Sequence, residues 1–264
     1  MNTVILIPAR YASSRYPGKP LVELRGAGGV AKPLIQRSVE AARKIAGVGG
    51  VFVTTDDERI ADACGRFGVG VIMTSPECRN GTERCAEALA QLHQPDLVIN
   101  FQGDALLTPN HFVEGLIERM RRDDVDVATP AMRLRSEEVR TLQAEEAAGR
   151  VGGTTVVTGD AGRALYFSKR LIPHLPAGAL DQPLSPVLLH VGVYAYRPTA
   201  LAAYAQTPPT ELEQLEGLEQ LRFLVAGIPV AVVEVEPRPF ALRELNNPED
   251  VAPIEEALAR AGLE

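Results

Sequence analysis

The chain has 264 residues, 45% of them hydrophobic and 23% charged, enough to fill one large α/β domain. A formal net charge of −7 argues against bulk nucleic-acid binding, and no apolar run reaches the length needed to cross a bilayer. The three cysteines, Cys64, Cys78 and Cys85, form no CxxC pair and leave an odd thiol, so a cytoplasmic protein without a disulfide scaffold is expected.

Residues 4–7, Val-Ile-Leu-Ile, form a short apolar run suited to a strand covered on both faces. The run stops at Pro8, which cannot donate to a sheet ladder, and opens into an irregular loop, residues 9–20. That loop carries Arg10, Arg15 and Lys19, with Pro17 and Gly18 setting its bends. A buried strand leading into three cations describes a phosphate site at the carboxyl edge of an α/β sheet; the competing reading is a solvated basic loop. Apolar spacing then predicts a helix over 32–46, a strand over 51–54, and a helix opened by Asp56-Asp57-Glu58 and closed by Gly68. A third strand, 69–73, ends in Thr74-Ser75-Pro76, and a helix follows from Gly81 to about Leu92. The fourth strand, 97–101, has Gln102-Gly103-Asp104 at its carboxyl end, and a helix over 109–120 and a strand over 125–128 complete the alternation. The pattern predicts an α/β fold with a mostly parallel, Rossmann-like sheet and helices on both faces.

The second half changes character. A helix is expected over 137–148, and strands over 154–157 and 164–167 flank the turn 159–162. Four prolines, Pro173, Pro176, Pro183 and Pro186, make 173–186 a loop. A strand over 190–196, helices over 198–204 and 211–226, a strand over 228–235 and a terminal helix opened by Asn247-Pro248 finish the chain. The whole reads as one domain, 1–264, with a smaller antiparallel region at about 150–200 for dimerisation or acceptor binding.

Ligands of open α/β sheets bind beyond the carboxyl ends of the strands. Residues 8–19, Thr74-Ser75, 80–84 and 102–104 all arrive there. The first segment, from Pro8 and Ala9 onward, is suited to phosphates, because arginine offers forked contacts and lysine a mobile point charge. Thr74, Ser75 and the Gly81 backbone are small enough to read a base edge. Asp104 is placed to hold Mg²⁺ through one carboxylate while phosphates supply other ligands, although a strand-end Asp is often a turn former. GxGxxG and Walker motifs are absent, which indicates neither a dinucleotide dehydrogenase nor a P-loop ATPase.

The segments IPARYASSRYPGKPL, TTDDERI, MTSPECRNGTER, NFQGDALLTP, ALYFSKRLIP, HVGVYAYRP and LEGLEQLR, in that order, resemble the 3-deoxy-manno-octulosonate cytidylyltransferases, the CMP-KDO synthetases. The likeness covers nearly the whole chain. It implies a nucleotide-sugar-transferase fold, a homodimer, CTP as donor, Mg²⁺ as cofactor, and pyrophosphate as leaving product. It places Arg10, Arg15 and Lys19 on the triphosphate, Thr74, Ser75, Gly81 and Arg84 around the cytidine, and Asp104 on the metal. Gln102, His190, Tyr194, Glu216, Glu219 and Gln220 would face an anionic acceptor.

Two departures stand out. The family's QGDEP is Gln102-Gly103-Asp104-Ala105-Leu106 here, and its second metal-binding Asp falls on Asn246, a weaker Mg²⁺ ligand because it carries no charge. The family default acceptor is the octulosonate sugar acid (KDO). A small phosphonate such as phosphonoformate is the alternative, and a non-catalytic CTP-binding regulator is a reading from another class. In the enzyme readings an acceptor oxygen displaces pyrophosphate in line at the α-phosphorus, with no covalent enzyme intermediate.

Overall fold

A computed structural model describes residues 1–12, 16–104, 106–236 and 245–263. The buried run gives β1 (Thr3–Pro8), whose residues Ile5, Leu6 and Ile7 are fully covered. A short hairpin, β2 (Glu23–Arg25) and β3 (Ala31–Pro33), then leads into α1 (Leu34–Ala42). The helix expected from residue 32 therefore begins later. Pro33 closes the hairpin, and Leu34 donates its amide to Val22 O at 2.8 Å.

Next come β4 (Gly50–Thr55), α2 (Glu58–Arg66), β5 (Gly70–Met73), α3 (Gly81–Leu89), β6 (Leu97–Phe101) and α4 (Asn110–Arg119). Asp57 caps α2 by accepting from the Arg59 amide, and Asn80 caps α3 by accepting from the Glu83 amide. β5, β4, β1 and β6 lie side by side in parallel, as the βα alternation requires.

The second half extends the same sheet in antiparallel pairings, apart from the last strand, which runs parallel to its neighbour. It comprises β7 (Val127–Arg135), α5 (Ser136–Ala147), β8 (Thr155–Thr158), β9 (Ala164–Ser168), β10 (Leu184–His190), β11 (Val193–Tyr196), α6 (Pro198–Gln206), α7 (Glu211–Glu216), α8 (Leu221–Val225), β12 (Val230–Val235) and α9 (Val251–Ala261). β11 pairs antiparallel with β6 and joins the two halves. β7 pairs with β12 along one edge and with β10 and β11 along the other. β8 and β9 continue outward from β10.

Three readings change. β7 is nine residues long where four were expected, and it contains Pro130, which a single-sequence reading takes as a strand breaker. The expected strand over 190–196 is two strands, with His190 ending β10 and β11 starting at Val193. The expected helix over 211–226 breaks at Gly217 (φ +60°) into α7 and α8. That left-handed position favours glycine, and it turns the chain so that Glu219 and Gln220 leave the helix surface. Among the described residues no helix is long and apolar enough to cross a membrane.

Candidate active site

Beyond the carboxyl ends of β1 and β6 lies an open cleft of about 1290 Å³. Its first wall is the loop after β1. The Ala9 amide donates to Thr54 O at 2.9 Å, and the Gly18 amide donates to Tyr11 O at 2.9 Å. Gly18 (φ +73°) packs against the Tyr11 ring, where an added Cβ would come within 3.1 Å. Arg59 stacks on the same ring, 3.3 Å from its centroid. Arg10 and Lys19 line the cleft; Arg15 lies outside the described residues.

Lys19 Nζ donates to Asp104 Oδ2 at 2.5 Å. The approach depends on Gly103, because a Cβ there would meet Pro8 O at 2.8 Å. Ser38 Oγ on α1 donates to Gly103 O at 2.7 Å, so the turn is held from beneath. Asp104 thus faces the cation loop from the next strand end, with Asn246 lining the same cleft. Lys19→Ala is expected to weaken CTP affinity by roughly 1.5–3 kcal/mol and CMP affinity much less, if the ammonium serves the outer phosphates. Calorimetry with both nucleotides checks this, and equal losses would refute it.

The second wall is the start of α3. Gly81 sits close against the amide ends of Gln102 and Asn100, where an added Cβ would lie 3.1 Å from Gln102 Nε2 and push that side chain aside. Arg84 is buried, donates to Thr74 Oγ1 at 2.5 Å and pairs with Asp56 at 3.3 Å. Arg84 and Gly81 line the cleft, whereas Thr74 and Ser75 do not. Thr74 holds Arg84, and the Ser75 amide donates to Glu87 at 2.7 Å.

The third wall carries most of the expected acceptor residues. His190 bonds Thr129 Oγ1 through Nε2 at 2.9 Å, and that hydroxyl donates onward to Val193 O at 2.8 Å. This network assigns the Nε2–H tautomer. Burial pushes the ring's pKa down to about 3, so His190 presents a neutral imidazole. Tyr194 OH donates to Gln220 Oε1 at 3.1 Å, while the buried Gln220 Nε2 has no partner among the described residues. Glu219 accepts from the Thr82 amide at 3.2 Å and faces Gln102 Nε2 at 3.5 Å. Burial raises its pKa to about 7, against the pull of the Thr82 amide.

Glu216 is the exception. It does not line the cleft; its carboxylate accepts from Ser168 Oγ at 2.7 Å and the Lys169 amide at 2.9 Å, tying the end of α7 to the end of β9. Lys169 does line the cleft, as do Arg79 and Thr154, and sequence reasoning singled out none of them. The available signal for Lys169 was its place at the end of a short strand, which shows nothing until that strand is paired.

Cations and Asp104 at the carboxyl edge of the parallel strands, with a polar wall opposite, fit an α/β nucleotidyltransferase. The cytidylyltransferase family profile matches residues 4–234. A 3-deoxy-manno-octulosonate cytidylyltransferase of Maricaulis maris is 40% identical over 99% of both chains. The mitochondrial one of Arabidopsis thaliana is 39% identical over 99% of this chain and 85% of its own. The solved structure of a CMP:2-keto-3-deoxy-manno-octonic acid synthetase complexed with CTP superimposes with a TM-score of 0.84 at 37% identity, covering 99% of this chain and all of that one. The chain belongs to the cytidylyltransferases, in the 3-deoxy-manno-octulosonate (CMP-KDO synthetase) family.

Proposed function

We propose that this cytidylyltransferase transfers CMP from CTP to 3-deoxy-manno-octulosonate, releasing pyrophosphate. The observation that carries the reading is the single cleft shared by Arg10, Lys19 and Asp104 on one side and His190, Tyr194, Glu219 and Gln220 on the other. The acceptor's anomeric hydroxyl oxygen attacks the α-phosphorus, the bond to the β-phosphate bridging oxygen breaks, and the hydroxyl proton is released. Positioning and charge neutralisation suffice for such a displacement. Arg10 and Lys19 neutralise the outer phosphates. His190, kept neutral, and the unpartnered amide of Gln220 orient acceptor hydroxyls.

Magnesium belongs to the same proposal. Asp104 and Asn246 offer the hard oxygen donors the ion prefers, and the described residues hold no cluster of three acidic, histidine or cysteine side chains. That donor set suits a site completed by substrate phosphates. When bound, the ion would add positive charge beside the phosphates. A homodimer through the region at about 150–200, and a cytoplasmic location, are parts of the reading. Exposed Leu165 on the outermost strand β9 and exposed Leu184 on β10 support the dimer, which sedimentation would test.

The test is pyrophosphate release from CTP with the octulosonate and with phosphonoformate. Release with the sugar acid is expected; release with the phosphonate alone would overturn the reading. All the relatives named above carry the octulosonate name, which does not favour the phosphonate alternative. Asn246→Asp separates the two further. A sugar-acid hydroxyl is uncharged, so a second carboxylate should raise activity. A phosphonate oxygen is already anionic, and the new charge would oppose it by about 4 kcal/mol at roughly 4 Å and an effective dielectric of about 20, before metal screening. An unchanged kcat/KM with both acceptors would remove position 246 from the metal's surroundings.

A further inference from the structure

We propose that Tyr204 is a positioning residue that fixes the spacing between the nucleotide wall and the acceptor wall of the cleft. The inference rests on the placement of the two substrates under the proposed function and deepens it. In-line displacement needs the attacking oxygen and the α-phosphorus in one geometry, and a small misplacement is costly. Yet the two substrates would rest on segments far apart in sequence. The nucleotide side is the start of α3, with Gly81 and Arg84; the acceptor side is the turn bearing Glu219 and Gln220.

Tyr204 stands on a third element, α6, where it is buried and does not line the cleft. Its hydroxyl reaches the back of both walls. It accepts from Asn80 Nδ2 at 3.0 Å, and its one proton is shared between Glu219 O at 3.3 Å and Glu213 Oε1 at 3.4 Å. The first contact fixes the cap of α3, because the oxygen of the same Asn80 amide accepts from the Glu83 amide at 2.8 Å. The contact to Glu219 is to the main chain, so it fixes the path of the turn.

Two other bonds run between these segments. The Thr82 amide donates to the Glu219 carboxylate at 3.2 Å, and Arg222 donates to Glu83 at 2.9 Å. Neither touches Asn80 or the Glu219 carbonyl. The Arg222 guanidinium also covers the Tyr204 ring, 4.0 Å from its centroid, and the Phe223 ring packs on it with centroids 4.8 Å apart. The seat of the ring is therefore independent of the hydroxyl, and the hydroxyl can be removed by itself.

The experiment measures the single-turnover rate of pyrophosphate formation at saturating CTP and octulosonate, with the Kd for CTP by calorimetry and the melting temperature alongside. Tyr204→Phe should lower that rate roughly 10- to 100-fold while leaving the Kd for CTP and the KM for the acceptor within about twofold. Asn80→Ser keeps a helix cap and loses the reach to Tyr204, so its rate should fall as well. The double variant should be no slower than Tyr204→Phe alone, because both changes break one connection. An unchanged rate in Tyr204→Phe, whatever its melting temperature, overturns the proposal, as does a loss confined to CTP or acceptor affinity. If Tyr204→Phe does not fold, an unchanged rate in Asn80→Ser overturns it equally. A wild type active only with phosphonoformate overturns the sugar-acid reading alone, and the same variants with that acceptor still decide the role of Tyr204. Release with neither acceptor overturns the transferase reading and this proposal with it.

Discussion

Asp104→Asn is expected to lower pyrophosphate release by about a thousandfold or more while leaving the fold in place. The substitution keeps the shape of the side chain and removes its charge. Gly103 and Ser38 still hold the turn against Pro8, so the backbone has no reason to move. Lys19 loses its partner at 2.5 Å, and the cleft loses the carboxylate on the Pro8 side of the phosphate region. A carboxylate that holds a metal beside a transferring phosphoryl group contributes several kcal/mol of charge stabilisation, which corresponds to that rate factor. The measurement is kcat with saturating CTP and acceptor across a magnesium titration, alongside thermal melting. Near-wild-type turnover would show that Asp104 only shapes the turn.

The largest stability effect should come from Arg222, which is 2% exposed. Its guanidinium donates to both Glu213 oxygens at 2.7 and 2.6 Å and to Glu83 at 2.9 Å. It also lies over the Tyr204 ring, 4.0 Å from its centroid. Burial opposes the charge, but the bonds to Glu213 and Glu83 outweigh it and hold the pKa above the usual arginine range. Arg222→Met would leave Glu213, itself buried, facing an apolar side chain. Removing one partner of such a pair costs about 3–5 kcal/mol, because the remaining charge is left uncompensated. Urea denaturation should show that loss. The double substitution Arg222→Met with Glu213→Gln should recover part of it, and a loss under about 1 kcal/mol in the single variant would mean that water reaches the pair.

The parallel half was legible because its signals are local. Val4 to Ile7 and Leu97 to Phe101 read as buried strands and are, and the acidic run 56–58 read as a helix opening, which Asp57 makes as the cap of α2. The acid-rich stretch after Thr210 was misread for a physical reason. Apolar and acidic residues keep a helical rhythm across Gly217, and a single glycine is tolerated inside many helices. What breaks the helix there is tertiary: Glu216 is drawn to β9, and Glu213 is drawn to Arg222. The strand expected over 125–128 was too short, because β7 runs on through Pro130. β7 carries it in the middle of the sheet, where its lone carbonyl accepts from the Val191 amide at 3.0 Å. Thr74 was read as a base contact because a small polar side chain can read a base edge without crowding it. Its position behind Arg84 depends on a side chain ten residues away and could not be seen from local pattern.

The same break has a thermodynamic consequence for the cleft wall it builds. Glu213 and Arg222 stand on either side of residues 217–220 and bond to each other, so the turn bearing Glu219 and Gln220 is closed at its base like a drawn loop. Tyr204 OH also donates to Glu219 O at 3.3 Å, and Thr82 and Tyr194 hold the two side chains. Ordering these residues, at about 1–2 kcal/mol of backbone entropy each, therefore falls on folding and not on binding. Under the proposed function, an acceptor arriving at this wall would meet a preordered surface, and its affinity would not be diminished by the entropy of arranging its own contacts.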